Sequence, residues 1–419
     1  MTPEVKKRIE QIQQGIVPEG YVKDKDGIYP RDWASKKIGQ WLKLAERPIV
    51  LQDEEEYQLV TVRRGFGGVD SRGSFLGKNV LVKNYFIVKT GDFIISKRQI
   101  AHGACGIVPP ELDGAVVSNE YNVFLPQDGT NIQMFNLMMQ LPHYKRLFYL
   151  MSDGVHIEKL LFKTQDWMKR KLAMPLLKEQ KKIAEILATQ DKVIELKEKL
   201  LAEKRQQKKY LIQQLLTGKK RLHGFHGEWK REKLGKLFAE RNETQCAHLE
   251  LLAITGTQGV IPRSKLDLKD NSSEDKSKYL HICVGDIGYN TMRMWQGVSA
   301  YSNYEGIVSP SYTILKPKGK VNAKYFSYLF KLPEVVFTFF RFSQGLVDDT
   351  RNLKYENFKT ICVTYPEDIQ EQNVIASILE KADQEIDLLC QAIEQEKKKK
   401  KALMQLLLTG IVKTKGEVQ

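Results

Sequence analysis

The sequence predicts an α+β protein: two similar α/β domains alternate with two long helices, and the helices form an intramolecular antiparallel coiled coil in a circular, pseudo-twofold arrangement. Three observations predict it. Residues 179–218 and 371–410 align without a gap and are identical at 17 of 40 positions. The landmarks that precede each copy recur in the same order. The stretch that ends the second copy is echoed at the N-terminus. Solenoid repeats run to roughly 20–50 residues, far below the 192-residue shift seen here. The duplicated unit is therefore a globular part plus a long helix.

Size and charge bound the class. A chain of 419 residues accommodates two to four domains. Lys and Arg outnumber Asp and Glu by 66 to 51, a formal net charge of +15. An excess of this size points to a polyanionic partner, with nucleic acid ahead of acidic membrane. The five cysteines (Cys105, Cys246, Cys283, Cys362, Cys390) are scattered, odd in number and without a CxxC pair. That pattern suits a reducing, cytoplasmic compartment and argues against a disulfide framework or a structural zinc site, so no metal is expected. The N-terminal MTPEVKKRIEQ has no apolar h-region, and no apolar run approaches bilayer length.

Residues 1–24 read as a helical segment. Thr2 supplies a capping hydroxyl and Pro3 an N1 proline. Ile12-Gln13-Gln14-Gly15-Ile16-Val17 echoes Leu407-Leu408-Thr409-Gly410-Ile411-Val412, so the chain looks like a ring cut open.

Residues 25–174 and 219–365 are the two domains. Asp32-Trp33 with Lys37-Ile38-Gly39 matches Glu228-Trp229 with Lys233-Leu234-Gly235. Ala45-Glu46-Arg47 matches Ala239-Glu240-Arg241, and Gly91-Asp92 matches Gly285-Asp286. Gly114 to Ser118 with Tyr121 resembles Gly306 to Ser309 with Tyr312, and Asp166-Trp167 stands where Asn357-Phe358 does. Between these anchors short β-rich runs with Gly and Asn turns predict a twisted antiparallel sheet with a few short helices.

Residues 175–218 and 366–412 are the long helices, and 413–419 a tail. Ile183, Leu187, Ile194, Leu201, Leu211 and Leu215 keep a heptad seam, as do Ile375, Leu379, Ile386, Leu389, Ile393, Leu403 and Leu407. Pro175 and Pro366 precede the helices, and Gly218 and Gly410 read as C′ glycines. Each helix would be about 60 Å long and needs a partner, most simply the other copy. Lys208 and Lys400 fall on the seam near the helix ends, where they are expected to snorkel outwards. Lys397–Lys401 reads as a solvated face.

The doubled order of Trp-x4-(Ile/Leu)-Gly, Gly-Asp, Gly…Val-Ser…Tyr, proline before Glu-Gln and a closing Leu-Thr-Gly resembles the specificity subunits of type I restriction–modification enzymes. The likeness covers nearly the whole chain. Arg351-Asn352-Leu353 with Phe358 and Pro366 is close to the family form, whereas the first unit has Leu160 where Arg351 stands. The resemblance implies two target-recognition domains, each reading half of a split site in double-stranded DNA. The paired helices would act as ruler and as dock for two methyltransferase subunits, and two restriction subunits would complete the nuclease. It implies no active site or cofactor in this chain; S-adenosylmethionine, ATP and Mg would belong to the partners.

The residues agree that no active site is present. There is no Asn/Asp-Pro-Pro-Tyr/Phe motif; Ser309-Pro310-Ser311-Tyr312 lacks the acceptor side chain and the second proline. No Walker sequence occurs, and no βα unit follows Gly65-Phe66-Gly67-Gly68. His223 and His226 have no ligand partners at metal spacing. Asp191 with Glu195 and Lys197 mimics a nuclease triplet, but on this helix it reads as an i,i+4 charge pattern.

DNA sequence is read in the major groove by Arg, Lys, Asn and Gln, while phosphate contacts supply affinity. In the first domain the candidates are Arg63 and Arg64 in a Gly-rich stretch, and Lys97, Arg98 and Gln99 after the Gly-Asp strand. In the second they are Tyr289, Asn290, Arg293, Trp295 and Gln296 at the corresponding place, with Gln344 and Arg351. The helical repeat of DNA and the helix length predict an asymmetric bipartite site with a spacer of about 5–8 base pairs. The competing reading is a coiled-coil scaffold without specific DNA recognition.

Overall fold

The computed structural model describes residues 2–24, 27–154, 160–256, 258–266, 273–348 and 350–414. The chain divides into two compact units, Met1–Leu196 with Ile393–Gln419, and Lys197–Ala392. Both divisions fall inside the long helices, which span Leu177–Leu215 and Ile369–Leu408. Each unit thus contains one globular domain and a part of each helix.

In the first unit the helix Pro3–Gln13 begins as expected, with Thr2 Oγ1 accepting from Val5 N at 3.4 Å. The strands Ala34–Lys37 and Lys171–Met174 pair antiparallel and bring the two ends of the domain together. Between them lie two sheets. A four-stranded antiparallel sheet has the order Cys105–Ile107, Phe93–Ser96, Tyr121–Pro126, Leu42–Leu44. A five-stranded sheet has the order Pro48–Val50, Asn84–Ile87, Val116–Ser118, Glu56–Val62, Val69–Leu76. The expected antiparallel pattern breaks at one pair, where Val116–Ser118 runs parallel to Glu56–Val62. This short strand inserts between two others, so its pairing with Asn84–Ile87 leaves it parallel to the second neighbour.

The second unit repeats the plan. Trp229–Lys233 pairs antiparallel with Cys362–Pro366 at the domain's ends. A four-stranded antiparallel sheet has the order Phe238–Glu240, Tyr312–Pro317, Ile287–Asn290, Ser299–Tyr301. Leu252–Thr255 forms a hairpin with Gly259–Pro262, and Leu280–Ile282 pairs with Gly306–Val308.

The repeated landmarks are the contacts that hold each domain. Trp167 is fully buried, with Phe124 at 5.6 Å and Phe148 at 5.9 Å. Phe358 takes that place in the second unit, against Phe330 at 5.8 Å and Tyr289 at 5.5 Å. Arg47 binds Asp92 through two hydrogen bonds of 2.6 and 3.1 Å, and Arg241 binds Asp286 at 2.8 and 3.3 Å. Both aspartates are buried, so the paired guanidinium offsets their desolvation. Gly235 is required by close approach: a Cβ there would lie 2.7 Å from Lys359 Cβ.

The first turn of each long helix is pinned by a buried glutamine. Gln180 accepts from Asn131 N at 2.7 Å and donates to Pro175 O at 2.8 Å. Gln372 accepts from Asn322 N at 2.9 Å and donates to Pro366 O at 2.9 Å. Asn131 and Asn322 each cap a following short helix. The Glu-Gln dipeptide of the repeat is therefore a bracket between domain and helix.

Within each unit the two helix segments are antiparallel. In the first, Ile183 and Leu187 share a core with Leu407 and Leu408, while Gln190 donates to Glu396 at 2.8 Å. In the second, Leu215 and Leu216 share a core with Ile375 and Leu379, while Lys204 meets Glu385 at 2.8 Å. Of the seam residues, Ile183, Leu187, Ile194, Leu215, Ile375, Leu379, Ile393 and Leu407 are buried; Leu201 and Ile386 are half-buried. The seam lysines differ from expectation. Lys208 pairs with Asp383, and Lys400 Nζ lies 2.5 Å from Asp191. Asp191 thus serves the facing helix rather than an i,i+4 pattern on its own.

Gly218 and Gly410 close the helices at φ 70° and 71°, the left-handed region that favours glycine. A Cβ on Gly410 would also collide with Pro30. Tyr21 Oη donates to Gly410 O at 2.6 Å, and the Arg8 guanidinium donates to the Ile411 carbonyl. The N-terminal segment seals the end of the C-terminal helix, as the echoed motif suggests.

Candidate nucleic-acid interface

In the first unit, Arg63 and Arg64 sit in the loop between Glu56–Val62 and Val69–Leu76. Gly65 and Gly68 at φ 68° and 87°, and Phe66 at φ 60°, turn the chain sharply there. This loop is bonded to the turn after Phe93–Ser96, with Gly65 N donating to His102 O at 2.7 Å and Phe66 N to Gly103 O at 2.8 Å. The structure therefore brings together the two clusters that the sequence placed over 30 residues apart. Arg63 pairs with Asp70, and Arg98 with Glu120 at 2.6 Å. Both arginines remain mostly exposed, so exchange of the carboxylate for a phosphate costs little desolvation. Lys97 and Gln99 are half-buried, and Gln99 encloses its amide oxygen.

In the second unit, the turn after Ile287–Asn290 is built by its own side chains. Asn290 Oδ1 accepts from Met292 N at 2.9 Å, and Trp295 Nε1 donates to Met292 O at 3.0 Å. Arg293 and Gln296 are exposed on it. Leu353 N donates to Thr291 O at 2.9 Å, which draws residues 350–353 alongside. Gln344 and Asn352 form a two-way backbone bridge of 2.8 and 2.7 Å. Arg351 stacks over Phe340 at 4.2 Å and Trp295 at 5.8 Å, and meets Asp348 at 3.4 Å. Asn290, Arg293, Trp295, Gln296, Gln344 and Arg351 thus share one surface.

Tyr289 is a correction. Its ring is fully buried against Phe358, and burial pushes its hydroxyl well above the usual range. Strand alternation turns position 289 inward and 290 outward, so Tyr289 supports the core beneath the turn. Sequence reasoning also missed Phe340, which carries the Arg351 guanidinium, and the exposed Phe337 stacked beside it. The available signal was the aromatic run PEVVFTFFRF, which forms the helix Pro333–Phe342. Leu160, where the first unit lacks Arg351, is buried. The exposed His223 and His226 lie in a loop.

A family model described as the type I restriction modification DNA specificity domain matches residues 30–205 and 255–398. The chain belongs to this family. It carries the specificity domain twice, and the scaffold reading is not favoured. The fold of this specificity subunit is similar to that of the HsdS subunit from Thermoanaerobacter tengcongensis, at TM-score 0.52 and 16% identity, covering 92% of this chain and 98% of that one. It is also similar to the type I restriction-modification S subunit from M. genitalium, at TM-score 0.53 and 14% identity over 90% and 96% of the two chains. A third structure, described by complex assembly and conformational transition of the type I R-M system, gives TM-score 0.52 at 15% identity over 92% and 99%. No curated protein matches by sequence. Among the described residues no helix is long and apolar enough to cross a membrane.

Proposed function

We propose that this specificity subunit reads the two halves of a bipartite, asymmetric DNA site, one half with each domain. In the second domain Asn290, Arg293, Trp295, Gln296, Gln344 and Arg351 approach the major groove. In the first domain Arg63, Arg64, Lys97 and Arg98 do so, with Gln99 supporting the turn. The observation that carries this reading is the equivalent placement of the two clusters, each built on the turn that follows the Gly-Asp strand of its domain together with a second segment bonded to that turn. The two clusters differ in residue type, so the half-sites differ.

The same reading assigns the chemistry to partners. Two methyltransferase subunits dock along the long helices and two restriction subunits join them, bringing S-adenosylmethionine, ATP and Mg. The chain itself works as a non-catalytic reader in the cytoplasm, and its helix length sets the spacer. Methylation mapping of the native genome with and without this chain tests the reading. The expected result is loss of one split motif, with about 5–8 unread base pairs. Deleting one heptad from both helices removes about 10 Å, or about three base pairs of rise. The spacer should shorten while both half-sites stay the same. An unchanged spacer sinks the ruler, and binding that ignores salt sinks DNA recognition altogether.

A further inference from the structure

The second unit also gathers a mixed set of metal-ligating side chains. Leu280–Ile282 pairs antiparallel with Gly306–Val308, with Ile282 opposite Gly306. That register brings His281 and Cys283 beside Glu305. One ligand atom from each lies within 4.8 Å of the others. His281 Nε2 is 3.0 Å from Glu305 Oε1 and 3.6 Å from Cys283 Sγ.

We propose that His281 Nε2, Cys283 Sγ and the Glu305 carboxylate form a transition-metal site suited to zinc. Tetrahedral zinc with bonds of about 2.3 Å to sulfur and 2.0–2.1 Å to nitrogen or oxygen requires an S···N edge of about 3.6 Å and an N···O edge of about 3.3 Å. The two measured edges are close to these values. The thiolate and imidazole select a borderline-soft ion over Mg or Ca. Three protein ligands leave a fourth position for water.

The shell behind the ligands fits the same role. His281 Nδ1 faces Glu243 Oε2 at 3.0 Å, the carboxylate–histidine arrangement that directs Nε2 to a metal. Glu243 is held by Arg241 at 2.6 Å, and Arg241 by the buried Asp286. This chain of contacts makes Glu243 a positioning residue. The equivalent strand pair of the first unit carries no such set: its Ile87 lies opposite Val116 as His281 lies opposite Ile307, and Lys89 stands two residues on, where Cys283 does. Among the described residues the site thus occurs in the second domain. Bound metal would tie together the segments around residues 243, 281–283 and 305.

The test uses the full chain after chelator treatment, titrated with zinc sulfate. Bound zinc is counted by elemental mass spectrometry, and Cys283 alkylation is followed by peptide mass spectrometry with Cys362 as internal control. One zinc per chain is expected, with Cys283 alkylation slowed at least about tenfold and Cys362 unchanged, because a coordinated thiolate is withheld from the reagent. H281A and E305Q, checked for fold by circular dichroism, should lose the protection, and C283S the bound zinc. E243Q should weaken zinc affinity by about 10–100-fold. Absence of zinc uptake overturns the site, as do protection that survives H281A, zinc binding that survives C283S, and equal protection by magnesium.

Discussion

Lys400 reaches across the helix pair of the first unit to Asp191, and Lys208 makes the same contact with Asp383 in the second. A shift of 192 residues converts each member of one pair into a member of the other, so the duplication placed one polar contact twice on an apolar seam. The side chains are 22–49% exposed, between a surface and a buried pair. Lys400→Ala should therefore cost about 1–2 kcal/mol in urea unfolding of the full chain. A double-mutant cycle with Asp191→Ala should show coupling of about 1 kcal/mol; purely additive effects would mean that the pair contributes nothing.

Arg221 holds Glu371 by two hydrogen bonds of 2.8 and 2.9 Å, and the Glu371 side chain is only 2% exposed. Arg221→Ala strands a buried carboxylate and should cost about 3 kcal/mol. Its repeat counterpart Lys413 instead pairs with Asp32, where both groups are largely exposed. Lys413→Ala should cost under about 1 kcal/mol. Chemical denaturation of the two variants side by side gives the comparison; equal losses would contradict it.

Glu179, the counterpart of Glu371, therefore lacks a bidentate arginine. Burial pushes its carboxyl above the ordinary value of 4.5. Above that value the folded chain keeps a proton that the unfolded chain has released, so stability is lost as pH rises through the raised value. Glu179→Gln should stabilise the protein at pH 7, with the gain fading toward pH 4. Unfolding measured across that range checks the slope, and a gain that grows on acidification would refute the assignment.

Tyr289 and Arg351 separate core from interface. Tyr289→Ala empties a buried site and should cost about 3–5 kcal/mol. Tyr289→Phe should leave half-site specificity unchanged. Arg351→Ala should instead weaken DNA binding, with a smaller stability loss of about 1 kcal/mol from its lost stacking on Phe340 and Trp295. If Arg351 meets a phosphate, the slope of log affinity against log salt should fall by about one; if it meets a base, specificity at one position should relax by about 1–3 kcal/mol. Fluorescence anisotropy at several salt concentrations distinguishes these from no effect, which would remove Arg351 from the interface.

The sequence by itself determined the duplication, the two long helices with their seam and glycine stops, the N-terminal seal and the family. Those features are periodic or local: a heptad, a cap and a repeated motif are carried by neighbouring residues and need no knowledge of distant contacts. It also marked Ala-Glu-Arg and Gly-Asp as repeated landmarks without disclosing that Arg47 binds Asp92 and Arg241 binds Asp286. Only the tertiary structure decided those pairings, the inward turn of Tyr289, the stacking of Arg351 on Phe340, the use of Lys208 and Lys400 across the seam, and the meeting of His281, Cys283 and Glu305. Each depends on which segments the sheets and helices bring side by side. That placement is set by the burial of whole faces and by strand register, and a linear pattern does not record it.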